Sequence, residues 1–258
     1  MTAQLADLLQ ISNQVLLIWF LVFLRVGAMA AMAPGLRESS IPARVKLVLA
    51  LALSVVVAPV IAADLLVALN AVPVPGLMLM EVVAGLLMGA VLRLFVAALQ
   101  IAGTIAAQAM SLSQLFGGSA GEPQPAVGNL LVVGGIALAM GLGLHTRLIE
   151  FLIASYEAFP PGLRIVGTFA LEWGVAGVAR VFGLGFTIAG PFVIAGLIYN
   201  VALGAINRAM PQLMVAFVGA PALTAGGLVL LALSAPIALS VWHEAFTAFL
   251  VAPLEGMR

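Results

Sequence analysis

The sequence predicts an all-α integral membrane protein with about six long apolar helices, which form helical hairpins broken at Pro and Gly. Of its 258 residues, 64% are hydrophobic and only 8% are charged, and the mean hydropathy is +1.25. A soluble domain is about 45–50% apolar and about 25% charged, so this chain lacks the polar residues that a water-facing surface needs. The apolar stretches are continuous rather than alternating, which favours helices over a β-barrel.

The first two predicted helices lie on either side of a charged segment. The first apolar run covers residues 15–34 and contains Arg25. Residues 35–46 hold the densest charge in the chain and are typical of an interfacial loop leading into a helix start. The second run, residues 47–63, is followed by the Val-Pro-Val-Pro sequence at 72–75, which cannot continue a helix. The basic residues of the charged segment favour a cytoplasmic position for it.

The middle of the chain combines one very long helix with the clearest loop. Residues 76–115 form a continuous helical stretch. At about 1.5 Å per residue it is longer than a hydrocarbon core of about 30 Å, so it must tilt, break or project. Residues 116–125, rich in Gly and Pro, form the loop. A fourth apolar run, 126–144, precedes a more polar amphipathic helix, 145–159, which ends at Pro160-Pro161.

The last third of the chain contains three further predicted apolar segments. The run from 169 to 203 is expected to break near Gly190-Pro191. A polar segment, 207–212, separates it from a final pair of segments, 213–235 and 236–251. Hydropathy therefore predicts about six spans and a single membrane-embedded domain over the whole chain.

Five ionisable residues lie within or near the apolar runs. Such a group costs from about 2.5 kcal/mol at the centre of a bilayer, so it normally faces a protein interior or water. The balanced signs favour pairing between helices or subunits over a proton or ion path. A third alternative is that the long helices stand partly outside the bilayer, against sister subunits. These predicted buried charges are Arg25, Glu81, Arg93, Glu172 and Arg180.

Enzyme motifs are missing from the sequence. Its histidines are His145 and His243, and His243-Glu244 is not followed by the second His of a zinc-protease helix. There is no Cys for thiolate ligation, and no phosphate-binding Gly loop surrounds the sole Lys, Lys46. We therefore expect neither enzyme activity nor a cofactor or metal. A net charge of zero gives no electrostatic case for binding nucleic acid.

Three separated segments resemble the FliR/SctT family, the R subunit of the flagellar and virulence type III secretion export gates. Residues 33–47 match the A-P-x7-P-x3-K signature, and residues 207–221 are similar to the N-R-x-x-P-Q…G-x-P element. The third segment is 103–113 with the Gly/Pro loop after it. Architectural roles are expected for the motif residues Pro34, Arg37, Pro42, Arg44, Lys46, Asn207, Arg208, Pro211, Gln212, Gly219 and Pro221.

The resemblance implies a structural, pore-forming subunit of the type III protein export gate. Such a protein lies in the bacterial cytoplasmic (inner) membrane at the flagellar basal body and passes unfolded flagellar subunits across it. The resemblance also implies that one copy closes a helical ring made with P-like and Q-like subunits. Within this chain, the P-like portion would be roughly 1–205 and the Q-like hairpin roughly 206–258. The B-type switch subunit, unfolded secreted proteins and membrane lipid are the further partners that it implies.

The same resemblance makes the Gly/Pro loop the pore plug, with a deformable Met side chain just before it. Glycine allows the unusual backbone angles that a movable plug needs. The alternative is a simple connector between two helices. The residues implied in the plug are Met110, Phe116, Gly117, Gly118, Ser119, Gly121, Pro123 and Pro125.

Two other classes of function compete with the export gate. A stand-alone secondary transporter for a small solute would line a central site with Glu81, Arg93, Glu172 and Arg180, and would support flux by itself. An intramembrane hydrolase would lose its activity when His145 or His243 is replaced by Ala.

Overall fold

The computed structural model of the protein describes residues 2–34, 42–111, 126–162, 167–210 and 215–253. Within these ranges the chain is helical and contains no strand, which confirms the predicted fold class. The helices are α1 (Thr2–Met32), α2 (Ala43–Ala71), α3 (Val74–Ser111), α4 (Ala126–Gly141), α5 (Leu144–Ala158), α6 (Gly167–Ala209) and α7 (Val215–Val251).

Five of the described helices, α1, α2, α3, α6 and α7, are long and apolar enough to cross a membrane. The pair α4 and α5 would add a sixth span if the two helices are taken as one bent segment. The prediction of about six spans therefore agrees with the helices that the structure describes.

Two predicted helix breaks are wrong. α6 continues through Pro191, and α7 continues through Pro236, so the predicted final pair of segments is one helix. A proline removes one backbone donor, but the remaining hydrogen bonds of an apolar helix have no water to replace them. Continuing the helix therefore costs less than breaking it.

Other predicted helix boundaries are confirmed, because the chain turns at these points. α2 ends at Ala71, directly before the Val-Pro-Val-Pro sequence, and α5 ends two residues before Pro160. Gly143, which precedes α5, has a φ of 90°, a left-handed conformation that glycine adopts without steric cost.

The first compact unit contains the described residues of 1–94, 143–178 and 247–258. In it α1 packs against α2, and α2 also contacts α5. Aromatic side chains fill part of the core: the rings of Phe151 and Trp173 both lie against Phe249, with centroids 5.7 and 6.2 Å away. The indole N–H of Trp173 donates a hydrogen bond to the carbonyl of Pro253.

The second compact unit contains the described residues of 95–142 and 179–246. Trp242 is fully buried there, stacked on Phe246, and its indole N–H donates to the carbonyl of Phe95 at 2.8 Å. α3 and α4 approach closely where Gly103 faces Gly128: an ideal Cβ on Gly103 would lie 2.2 Å from the Gly128 Cα. This crossing therefore requires glycine.

Candidate functional site

A buried ion pair joins α1 and α3 in the first unit. The Arg25 guanidinium donates to the Glu81 carboxylate through Nε at 2.7 Å and through Nη2 at 3.1 Å. The side chains are 2% and 0% exposed. Two planar groups joined by two parallel hydrogen bonds form the strongest geometry available to such a pair.

The remaining donors of Arg25 reach the carboxyl-terminal end of α5. Nη1 donates to the Ser155 carbonyl at 3.1 Å, and Nη2 donates to the Phe159 carbonyl at 2.9 Å. Because a helix carries partial negative charge at this end, a cation is stabilised there. The Tyr156 ring lies 3.7 Å from the Arg25 Cζ and adds a cation–π contact. One guanidinium thus fastens α1, α3 and α5 together.

Two glycines of α3 make this approach possible. An ideal Cβ on Gly85 would lie 2.3 Å from the Arg25 carbonyl oxygen, and one on Gly89 would lie 2.7 Å from the Met29 carbonyl oxygen. These residues form a G-x-x-x-G pattern, which lets helix backbones pack closely. Glu81 lies one turn before Gly85 and is thereby brought opposite Arg25.

The other three ionisable residues expected to be buried are placed differently. Arg93, Glu172 and Arg180 are exposed on the isolated chain, so their burial against sister subunits stays a prediction. Sequence periodicity did not show which side of a helix each one occupies, because these helices are apolar all round. Glu81 and Arg93 are twelve residues apart along α3, or about 18 Å. They are too far apart to line the central site that a small-solute transporter would need.

At the end of α3, in the second unit, Met110 is one of the residues that line an apolar pocket. The pocket has a volume of about 340 Å³ and is lined in part by Phe192, Gly196, Tyr199 and Gly227. A Cβ on Gly227 would lie 2.1 Å from the Met110 Sδ, so the thioether occupies the space that a side chain there would take. Met110 thus lies half-buried at the point where the described part of α3 ends.

A hydrogen bond joins α6 and α7 beside this pocket. The Tyr199 hydroxyl donates to the carbonyl of Gly219, one of the family-motif residues. A Cβ on Gly219 would lie 2.9 Å from that hydroxyl oxygen, so the contact depends on glycine. Gly219 is buried, whereas Pro221, two residues on, is exposed inside α7.

The remaining motif residues are at helix ends or outside the described residues. Pro42 precedes α2, Arg44 is exposed in its first turn, and Lys46 is half-buried. Pro34 follows α1, and Asn207 and Arg208 are exposed near the end of α6. Predicted residues outside the described ranges are Arg37, Phe116, Gly117, Gly118, Ser119, Gly121, Pro123, Pro125, Pro211 and Gln212.

The described residues contain no group of three or more potential metal ligands. His145 is exposed at the start of α5, and His243 lies in α7. Ser155, Phe159 and Tyr199 were not predicted from the sequence as functional residues. Ser155 and Phe159 mainly contribute backbone carbonyls, which every residue has, so no sequence pattern could have identified them.

The chain is similar to proteins of bacterial export systems. The model of the family described as "Bacterial export proteins, family 1" matches residues 16–249. A "Flagellar biosynthetic protein FliR" of Caulobacter vibrioides is 35% identical over 240 residues, which is 89% of this chain and 93% of the relative. Proteins of the same name from Escherichia coli K12 and Aquifex aeolicus are 29% identical over 241 residues and 30% identical over 170 residues. These matches cover 89% and 66% of this chain, and 90% and 66% of the respective relatives.

Proposed function

Since the chain belongs to the bacterial export proteins of family 1, together with flagellar biosynthetic proteins named FliR, we propose that it is a pore-forming subunit of the type III export gate. In that role it passes unfolded flagellar subunits across the cytoplasmic membrane. The family is one of export-apparatus components rather than enzymes, and the apolar helices fit a multi-pass protein of the inner membrane.

The observation that carries the proposal is the mixture of exposed apolar and charged side chains at the start of α6. Leu171 and Val175 are 69% and 67% exposed, and they lie beside two exposed charges, Glu172 and Arg180. Charges at this density exclude this part of α6 from the hydrocarbon core of a bilayer. Lipid therefore does not cover its exposed apolar side chains, and companion protein is the cover that removes them from water.

The companions that the resemblance supports are P-like and Q-like export-gate subunits, with the B-type switch subunit as a further contact. This chain would then combine a P-like portion, roughly 1–205, with a Q-like portion, roughly 206–258. The test is purification of the tagged chain after co-expression with the two small subunits. We expect one large hetero-oligomer. A chain that purifies in a folded state without the two small subunits would refute the proposal.

The gating part of the proposal assigns the plug to residues 116–125 and an apolar seal to Met110. The support is the resemblance, the three glycines of that segment, and the position of Met110 in the lining of an apolar pocket, against Gly227, just before it. Small side chains fit a narrow passage and leave it at little steric cost.

Deletion of residues 117–121 should make the assembled gate leaky to ions, measured as conductance of the purified complex in a planar bilayer. Gly183→Ala, in α6 where no atom lies within 4 Å of the added Cβ, is the control and should conduct as little as the parent. If the deleted complex assembles and its conductance is unchanged, the segment is a connector rather than a plug.

A further inference from the structure

One side of α2 is an uncovered apolar surface within the first unit. The buried residues of this helix recur at a helical spacing: Ala50, Ser54, Val57, Ile61, Leu65 and Ala68. The opposite side consists mainly of exposed aliphatic residues, which include Val45, Val48, Val55, Val56, Val60 and Val67. The helix is therefore apolar all round, although only one side of it packs against protein.

The charge-free part of this surface has the length of a hydrocarbon core. Residues 47–63 contain no charged side chain, and they lie between Lys46 and Asp64. At about 1.5 Å per residue they span about 25 Å, close to a core of about 30 Å once the flanking side chains reach out to the headgroups. Arg44 adds a second, exposed basic residue at one end. Basic residues next to a span favour the cytoplasmic, anionic face of a membrane.

α5, in the same unit, has the opposite character on its uncovered side. His145, Thr146, Arg147, Glu150 and Glu157 are all exposed, and Arg147 forms an exposed ion pair with Glu150 at 3.0 Å. Ionisable residues at this density are incompatible with contact to acyl chains. α5 packs beside the Asp64 end of α2, where Val60, Asp64 and Val67 face Tyr156 and Glu157 across a shared cleft. The polar helix thus lies at the end of α2 where its charge-free part stops.

From this contrast we infer that the exposed side of α2 is in direct contact with the acyl chains of the bilayer, from Leu47 to Ala63. A protein partner is the less suitable occupant. Interfaces between membrane helices are enriched in the small residues Gly, Ala, Ser and Thr, whereas the exposed side of α2 is built mainly from Val and Leu. Moreover, its charge-free length fits the bilayer. The inference does not depend on which companions the chain has.

Spin labels can identify what covers α2, because the chain has no Cys and a single one can be introduced without background. Val56→Cys places a label on the exposed side, where Val56 is 53% exposed, and Val57→Cys is the matched control at 0%. His145→Cys reports on the uncovered side of α5. Each variant is co-expressed with the companion subunits, purified and placed in lipid nanodiscs. Collision rates with molecular oxygen, which partitions into lipid, and with a water-soluble nickel chelate are then measured.

We expect the label at 56 to collide at least several-fold more often with oxygen than with nickel, and the label at 145 to show the reverse. The label at 57 should collide with neither. If the label at 56 is protected from both reagents, a protein covers α2, and if it prefers nickel, water does. Either outcome overturns the inference. Val48→Cys, at a position 64% exposed, provides a second label on the same side if the first variant is poorly produced. Co-purification of the companions is scored separately, so failure of the export-gate proposal is distinguishable from failure of this one.

Discussion

Replacing Arg25 by Met should destabilise the first unit by about 3–5 kcal/mol, the cost of leaving one partner of a buried ion pair without the other. The Glu81 carboxylate is fully buried and accepts two hydrogen bonds from Arg25, and the carbonyls of Ser155 and Phe159 lose the same donor. Thermal unfolding of the purified protein in mild detergent measures the loss.

The matched control for this variant is Arg147→Met. It breaks the exposed pair between Arg147 and Glu150, which is worth at most about 1 kcal/mol because water screens it. The double variant Arg25→Met with Glu81→Met should recover part of the stability, since it no longer buries an uncompensated carboxylate. A similar, small effect of Arg25→Met and Arg147→Met would contradict the role given to the buried pair.

Adding one methyl group at Gly85 or Gly103 should be the second most damaging change. At Gly85 the new Cβ would meet the Arg25 carbonyl oxygen at 2.3 Å, and at Gly103 it would meet the Gly128 Cα at 2.2 Å. Both obstacles are backbone atoms, which cannot move without separating the helices. We expect the free energy of unfolding to fall by at least about 1–3 kcal/mol, as is typical of overpacking. Less folded protein should accumulate in the membrane.

Gly183→Ala is the control for these two substitutions. Gly183 lies in α6 with no atom within 4 Å of its ideal Cβ, so alanine there should be neutral or stabilise the helix by up to about 1 kcal/mol. Comparison of the three variants by thermal unfolding separates close helix packing from a general effect of alanine. Equal stability of all three would mean that α1–α3 and α3–α4 do not pack as described.

The fold class was predictable because composition and continuous apolar runs leave helices as the only arrangement. The continuity of the helices at Pro191 and Pro236 was not predictable from the sequence. A proline that ends a helix in water is tolerated where no water can bond to the backbone groups that a break would free. Arg25 and Glu81 were predictable as buried because a charge in an apolar run is costly. That Arg25 also binds the end of α5 depends on tertiary packing, and no local pattern encodes it.

The distinction between lipid-facing and partner-facing surfaces was also beyond the sequence. Hydropathy treats α2 and α6 alike, since both are apolar on every side. Only the structure shows which side each helix leaves uncovered and over what length. The exposed part of α2 between Lys46 and Asp64 is free of charge and fits within a bilayer, whereas the exposed part of α6 includes the charges Glu172 and Arg180.

Accessibility at the two ends of α6 tests the central claim most directly. Leu171→Cys and Ile206→Cys carry spin labels near the two ends of α6, beside the exposed charges Glu172 and Arg208. In the chain alone, in detergent, both labels should be accessible to oxygen or to the nickel chelate. In the complex with companion subunits, in nanodiscs, we predict that at least one of them becomes inaccessible to both reagents. If both ends stay as accessible in the complex as in the isolated chain, no companion protein covers α6, and the account of this chain as a subunit of an export gate is contradicted.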